Sequence, residues 1–245
     1  MDHLVVDDAD GVRTITINRP DVKNALTAAM RAEFCALIDE ADADETTRAV
    51  IVTAVDPVFS AGVDFKEVAA GTGRASSSNP GATLRAASTP VVCAVNGACV
   101  TGALELALSC TFIVASERAR FADTHARLGV VAAWGLTALL PRAVGVRKAA
   151  ELSITGNFVD AADALRLGLV NHVVPHEELL PFTRALVDDI APTAAVGHVL
   201  SLYRRGDGLS LGDALALEAE HGATQQVDAA AFGAAGAAAA ARQHR

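Results

Sequence analysis

The chain has 245 residues, enough for one large domain, or one domain with a small appendage, and a sizeable core. Apolar residues make up 51% and charged residues 20%, which excludes a disordered chain, and aromatics at 4% leave the core to Ala, Val and Leu. A formal charge of -9 excludes a general binder of nucleic acid or of anionic membrane, so an anionic ligand must be met by local backbone donors and a few placed cations.

In chain order, Leu4–Val6 and Val12–Ile17 flank Asp7-Asp8-Ala9-Asp10-Gly11, and the Asp-Gly step between alternating residues predicts a β-hairpin. Thr27 caps a helical pattern running through Met30, Phe34, Leu37 and Ile38. Ala49–Ala54, Val91–Val95, Phe112–Ala115 and Leu169–Val174 are short apolar runs, as expected of parallel strands covered on both faces. Strands alternating with helices imply an α/β fold. Residues 71–80 are rich in turn formers and predict a mobile loop. From Pro175 onward strand signals vanish, and the alanine-rich stretch 228–241 predicts helix. The expected organisation is an α/β core over 1–190 and a helical region over 191–245.

Met1-Asp2-His3-Leu4 has neither a basic nor an apolar segment of the kind that opens a signal peptide. Cys35, Cys93, Cys99 and Cys110 form no CxxC pair and read as buried thiols in a reducing compartment. The most apolar stretch, Val91 to Ala115, is broken by Asn96-Gly97, Thr101-Gly102 and Glu105, which suits a buried strand-turn-helix better than a membrane span. These features predict a cytoplasmic globular protein without membrane attachment.

Several motifs are decoys. Gly208-Leu-Ser-Leu-Gly212 has the G-x-S-x-G spacing, but no strand precedes it, and Ser210 with Asp213 reads as a helix N-cap. His172 and His176 are separated by Pro175 and share no helix face, so no metal site is expected. Gly71-Thr-Gly73 lacks the third glycine of a dinucleotide fingerprint.

The informative segment is Ala94 to Ala107, AVNGACVTGALELA, because Glu105 is the sole charged residue between Arg85 and Glu117. A carboxylate in an apolar helix start is costly to bury unless something uses it. Its plainer explanation is compensation of a helix N-terminus at the surface. Gly102 lets a ligand approach backbone N–H groups closely.

Ile17–Thr27 (INRPDVKNALT), Phe59–Val68 (FSAGVDFKEV) and the Glu105 segment together resemble successive signatures of the crotonase (enoyl-CoA hydratase/isomerase) family. Phe121–Leu136, Leu139–Gly145 and Ala164–Val174 continue the likeness in order, and it weakens after about Pro175. The resemblance implies a spiral of ββα units with a C-terminal helical trimerisation region, assembled as a homotrimer or a dimer of trimers. It also implies an acyl-CoA substrate, with coenzyme A as part of that substrate and no separate cofactor.

By the same resemblance, the backbone N–H groups of Val63 and Gly102 form an oxyanion hole, and Ala61, Asp64 and Phe65 lie along the CoA arm, where Lys23 would meet a phosphate. Glu105 matches one of the two glutamates of family hydratases. The other position, 20 residues later, holds His125. An imidazolium beside Glu105 could act as the acid, and Asp123, if 123–125 is extended, could orient it; otherwise His125 is a polar wall residue. Thr101 and Ala103 flank Gly102 where many members have glycines, and Ala132-Ala133-Trp134 replaces a proline-glycine turn. Hydration of a trans-2-enoyl-CoA is the activity implied, with isomerisation or CoA-thioester binding as alternatives.

Overall fold

The Asp10-Gly11 step turns the chain as its sequence predicts. In the computed structural model, which describes residues 3–71, 78–225 and 232–233, Asp10 (φ 49) and Gly11 (φ 72) both take the left-handed conformation. They join β1 (Leu4–Ala9) to β2 (Val12–Ile17) as an antiparallel pair, because two successive positive φ values match the twist of the flanking strands. Thr27 caps α1 (Ala28–Ala43), its side chain accepting from Met30 N at 3.1 Å.

Three ββα units follow. In the first, β3 (Ala49–Ala54) leads to β4 (Val58–Ser60), α2 (Phe65–Ala69) and α3 (Pro80–Ala86). In the second, β5 (Val91–Val95) leads to β6 (Ala98–Val100) and α4 (Gly102–Ser109). In the third, β7 (Phe112–Ser116) leads to β8 (Arg120–Ala122), α5 (Leu136–Val144) and α6 (Val146–Thr155). Each unit adds one strand to each of two sheets. The larger sheet has the order β1-β2-β3-β5-β7-β10 and the smaller β4-β6-β8-β9. All pairings within the larger sheet after β1–β2 are parallel, which explains why every residue of β3 and β5 is buried.

The chain continues through β9 (Val159–Asp160), α7 (Ala161–Leu167), β10 (His172–Val174), α8 (Leu179–Asp188), α9 (Ala195–Gly206) and α10 (Leu211–Thr224). The expected strand over 169–174 is real only in its second half. Gly168 (φ 78) ends α7, Leu169 N returns to Ala164 O at 2.9 Å, and Leu169 and Val170 are buried by this reversal, not by sheet pairing. Ser210 is the N-cap of α10, accepting from Asp213 N at 3.2 Å, so the G-x-S-x-G spacing marks a helix start. The loop at 71–80 falls largely, and the helix expected over 228–241 almost wholly, outside the described residues.

The chain divides into two units, Met1–His198 and Val199–Arg245. The core of the first unit gathers Ile15, Ile17, Met30, Phe34, Val52, Phe59, Leu104, Leu106 and Phe121 around α1 and α4. All four cysteines are free thiols; burial pushes those of Cys93 and Cys99 well up, so they behave as small core hydrophobes. Among the described residues no helix is long and apolar enough to cross a membrane.

Candidate active site

The motif around Asn24 is a clamp. Asn24, wholly buried, donates from Nδ2 to Val55 O (2.8 Å) and Val58 O (2.7 Å), and its Oδ1 accepts from Arg19 N at 2.8 Å. Ser60 Oγ donates to Asn24 O at 2.7 Å and accepts from Gly62 N at 3.1 Å, which fixes the loop 61–63. Arg19 Nη1 meets Asp64 Oδ2 at 2.5 Å. Leu26 pairs with Val63 as an isolated parallel bridge: Leu26 N donates to Gly62 O (2.8 Å) and Leu26 O accepts from Asp64 N (2.9 Å). In that pattern the bonds belong to the residues flanking Val63, so its own N–H points to the other side.

That side holds the start of α4. A Cβ built on Gly62 (φ 90) would stand 2.9 Å from Gly102 N, and one on Gly102 would stand 3.5 Å from Val63 N. Gly102 opens α4 after Thr101 (φ 58), and the first N–H groups of a helix have no intrahelical acceptor. Two backbone donors therefore converge from a loop and a helix start.

Glu105, one turn further, is 2% exposed. Its Oε1 accepts from Trp134 N at 2.6 Å and, at 3.4 Å, from Leu136 N at the start of α5. The carboxylate does compensate a helix N-terminus, but that of α5, which has no side-chain cap of its own. The Trp134 peptide is held from its other end by Arg85 Nη1, which donates to Trp134 O at 2.6 Å and to Ser109 Oγ at 3.0 Å.

The second oxygen of Glu105 faces His125, with Oε2 3.4 Å from Nε2. The other ring nitrogen, Nδ1, lies 2.7 Å from Asp123 Oδ1, and His125 N donates to that same oxygen at 3.1 Å. The segment is not extended: His125 is helical (φ -53, ψ -48) and opens a short turn, so Asp123 reaches the ring by folding back over two residues. Burial opposes charge on the half-buried imidazole, but the bonds to Asp123 and Glu105 outweigh it and raise its pKa from 6.5 to about 9. Burial also works against the Asp123 carboxylate, yet the His125 bond holds it below the usual range.

Glu105 and His125 line one cavity of about 540 Å³, whose lining includes neither Asp123 nor Gly102. Glu105 and His125 meet Val63, Thr101, Thr124 and Trp134 on its wall, with Ala61 and Phe65 also lining it. Phe65 is 67% exposed. Asp64 and Lys23 are not part of that lining: the Asp64 carboxylate is occupied by Arg19 and by Lys66 N at 2.9 Å, and Lys23 contributes its carbonyl to Ala61 N. Sequence reasoning overlooked Arg31, which lines the cavity from α1. Its signal was a charge at i, i+3, i+7 spacing with the core residues Phe34 and Ile38.

The family model described as enoyl-CoA hydratase/isomerase matches residues 7–230. The chain belongs to the enoyl-CoA hydratase/isomerase family. It is 37% identical over 218 residues to a protein of Arabidopsis thaliana named probable enoyl-CoA hydratase 1, peroxisomal, covering 87% of this chain and 82% of that one. A crystal structure of enoyl-CoA hydratase from Mycobacterium tuberculosis H37Rv is 47% identical with a TM-score of 0.78, over 89% of this chain and 96% of that one. Another, from Mycobacterium smegmatis, has a TM-score of 0.85 at 32% identity, over 95% and 94% of the two chains. The fold is thus the crotonase fold, and the chain is an enzyme of the enoyl-CoA hydratase/isomerase type.

Within this crotonase-family chain a second polar cluster imitates a catalytic triad. Ser116 Oγ is 3.0 Å from His176 Nδ1, and His176 Nε2 is 3.0 Å from Asp56 Oδ2. Ser116 is wholly buried and its oxygen accepts from Arg118 N, so no substrate reaches it. The cluster ties the ends of β3, β7 and β10 together. Among the described residues no group of three His, Cys, Asp or Glu could hold a metal ion.

Proposed function

We propose that the enzyme hydrates a trans-2-enoyl-CoA to a 3-hydroxyacyl-CoA. The observation that carries this reading is the Glu105–His125 pair, 3.4 Å apart, in a cavity that Val63 also lines, with the Gly102 helix start packed beside Val63. The thioester carbonyl accepts from the backbone N–H groups of Val63 and Gly102, which cost no reorganisation as negative charge builds on the oxygen. Glu105 Oε2 takes a proton from water as the water oxygen bonds to C-3, and the double-bond electrons move into the enolate. His125 Nε2–H then delivers a proton to C-2. The contact between the two side chains lets the proton on Glu105 return to His125, restoring the site.

Glu105 and His125 are the catalytic residues in this account, and Asp123 positions the imidazolium. Coenzyme A enters as part of the substrate, its arm running past Ala61 and Phe65 along the loop that Asp64 braces. Assembly as a trimer or a dimer of trimers follows from the family resemblance. It accords with the exposed apolar side chains of Tyr203, Leu211 and Leu215 in the second unit.

One observation favours double-bond isomerisation as a second reading. Of the two carboxylates touching His125, only Glu105 lines the cavity, and a single base can move a proton between C-2 and C-4 without water. Product analysis with a series of 2- and 3-enoyl-CoA esters decides. A 3-hydroxyacyl product supports hydration, a shifted double bond replaces it with isomerisation, and binding without turnover makes the protein a thioester-binding one.

A further inference from the structure

The buried stripe of α1 is Met30, Arg31, Phe34, Ile38 and Ala41, and Arg31 is its one charged member. At 4% exposure it is buried to a degree that arginine rarely reaches without a specific use. An aliphatic side chain would fill that face of α1 without desolvating a cation. Arg31 lines the same cavity as Glu105, with Cζ 5.6 Å from the centroid of the Trp134 ring and Nε donating to Thr27 O at 3.3 Å. Glu67 draws on it from the start of the helix, where Glu67 Oε2 accepts from Ala28 N at 2.7 Å.

Trp134 sets the direction. The Cζ3 edge of the indole would lie 3.2 Å from a Cβ on Gly102, and the guanidinium lies over the same ring. An acyl chain held by its carbonyl at Val63 and Gly102 would have the indole, and beyond it Arg31, as a path along the cavity wall. Among the described residues, the charged groups lining the cavity are Arg31, Glu105 and His125.

We propose that Arg31 selects acyl-CoA substrates whose chain ends in a carboxylate, the mono-CoA thioesters of short unsaturated dicarboxylic acids. The planar guanidinium matches a carboxylate through paired N–H groups, and a terminal methyl in its place would face a desolvated cation. The proposal rests on the acyl-CoA reading of the cavity and names the substrate class.

Calorimetric binding of two saturated esters of equal length, glutaryl-CoA and pentanoyl-CoA, tests it without requiring turnover. The wild type is expected to bind glutaryl-CoA roughly 30-fold or more tightly than pentanoyl-CoA. In Arg31→Met that ratio should collapse to within about threefold, with Arg31→Lys keeping part of it because charge survives without the fork. Should Arg31→Met not fold by circular dichroism, Arg31→Gln takes its place. A wild type without preference, or a preference intact in the variant, overturns the proposal. So does equal weakening of glutaryl-CoA, pentanoyl-CoA and free coenzyme A, which would place Arg31 on the coenzyme arm. If the preference holds but glutaconyl-CoA and 2-pentenoyl-CoA are not hydrated, the hydratase reading fails while the role of Arg31 stands.

Discussion

His125 Nε2 stands 3.4 Å from Glu105 Oε2 while its Nδ1 stands 2.7 Å from Asp123 Oδ1, so one imidazole bridges two carboxylates. Each ring nitrogen faces an acceptor, and that arrangement favours the doubly protonated ring.

Replacing Glu105 with Gln keeps an oxygen for Trp134 N and the volume of the side chain but removes the base. Turnover of an enoyl-CoA should fall by ~10²–10⁴ while binding of a saturated acyl-CoA persists. Steady-state kinetics with calorimetry separates the two, and an unchanged kcat would remove Glu105 from the chemistry.

Because the His125 pKa is raised from 6.5 to about 9, its contribution to stability is complete below pH 6.5 and is lost as pH rises through about 9. That rise is worth on the order of 3 kcal/mol in favour of the charged folded form. Urea midpoints measured from pH 6 to pH 10 should decline across that window in the wild type and flatten in His125→Gln. The alkaline limb of kcat should lie in the same range, as a property of the coupled groups. A limb unmoved in the variant would reduce His125 to a wall.

Asp123→Asn keeps the contact with the ring but removes a charge that raises the histidine. The alkaline limb should move to lower pH and kcat should fall by about tenfold or more. A lower kcat with the limb in place would mean that Asp123 only supports the local fold.

Gly102→Ala retains the N–H but brings a Cβ to 3.2 Å from Trp134 Cζ3 and 3.4 Å from Val63 Cγ2. Crowding at the converging amides should cost about tenfold or more in kcat with little change in melting temperature, since alanine suits a helix at least as well. Full activity in the variant would argue against a reacting oxygen between Val63 and Gly102.

The assembled protein should be a trimer or a hexamer at micromolar concentration. Light scattering reads the mass directly, and a monomer would contradict the assembly.

The sequence by itself determined the α/β class, the hairpin at Asp10-Gly11 and the caps at Thr27 and Ser210, and it singled out Glu105 as a lone carboxylate in an apolar segment. These follow from local rules: turn conformation, side-chain capping and the apolarity of strands covered on both faces. The smaller sheet escaped, because β4, β6, β8 and β9 are only two or three residues long and carry no periodicity. Tertiary structure alone decided that Glu105 caps α5 instead of its own helix, from 31 residues away along the chain. It alone folded Asp123 back onto His125, and turned Arg31 from a helix residue into part of the cavity wall. Spacing along a chain reports which residues share a face, whereas the partner across a cavity depends on how separate elements pack. The pKa shifts of His125 and Asp123 are set by that packing, since burial and a neighbouring charge act through distance in space.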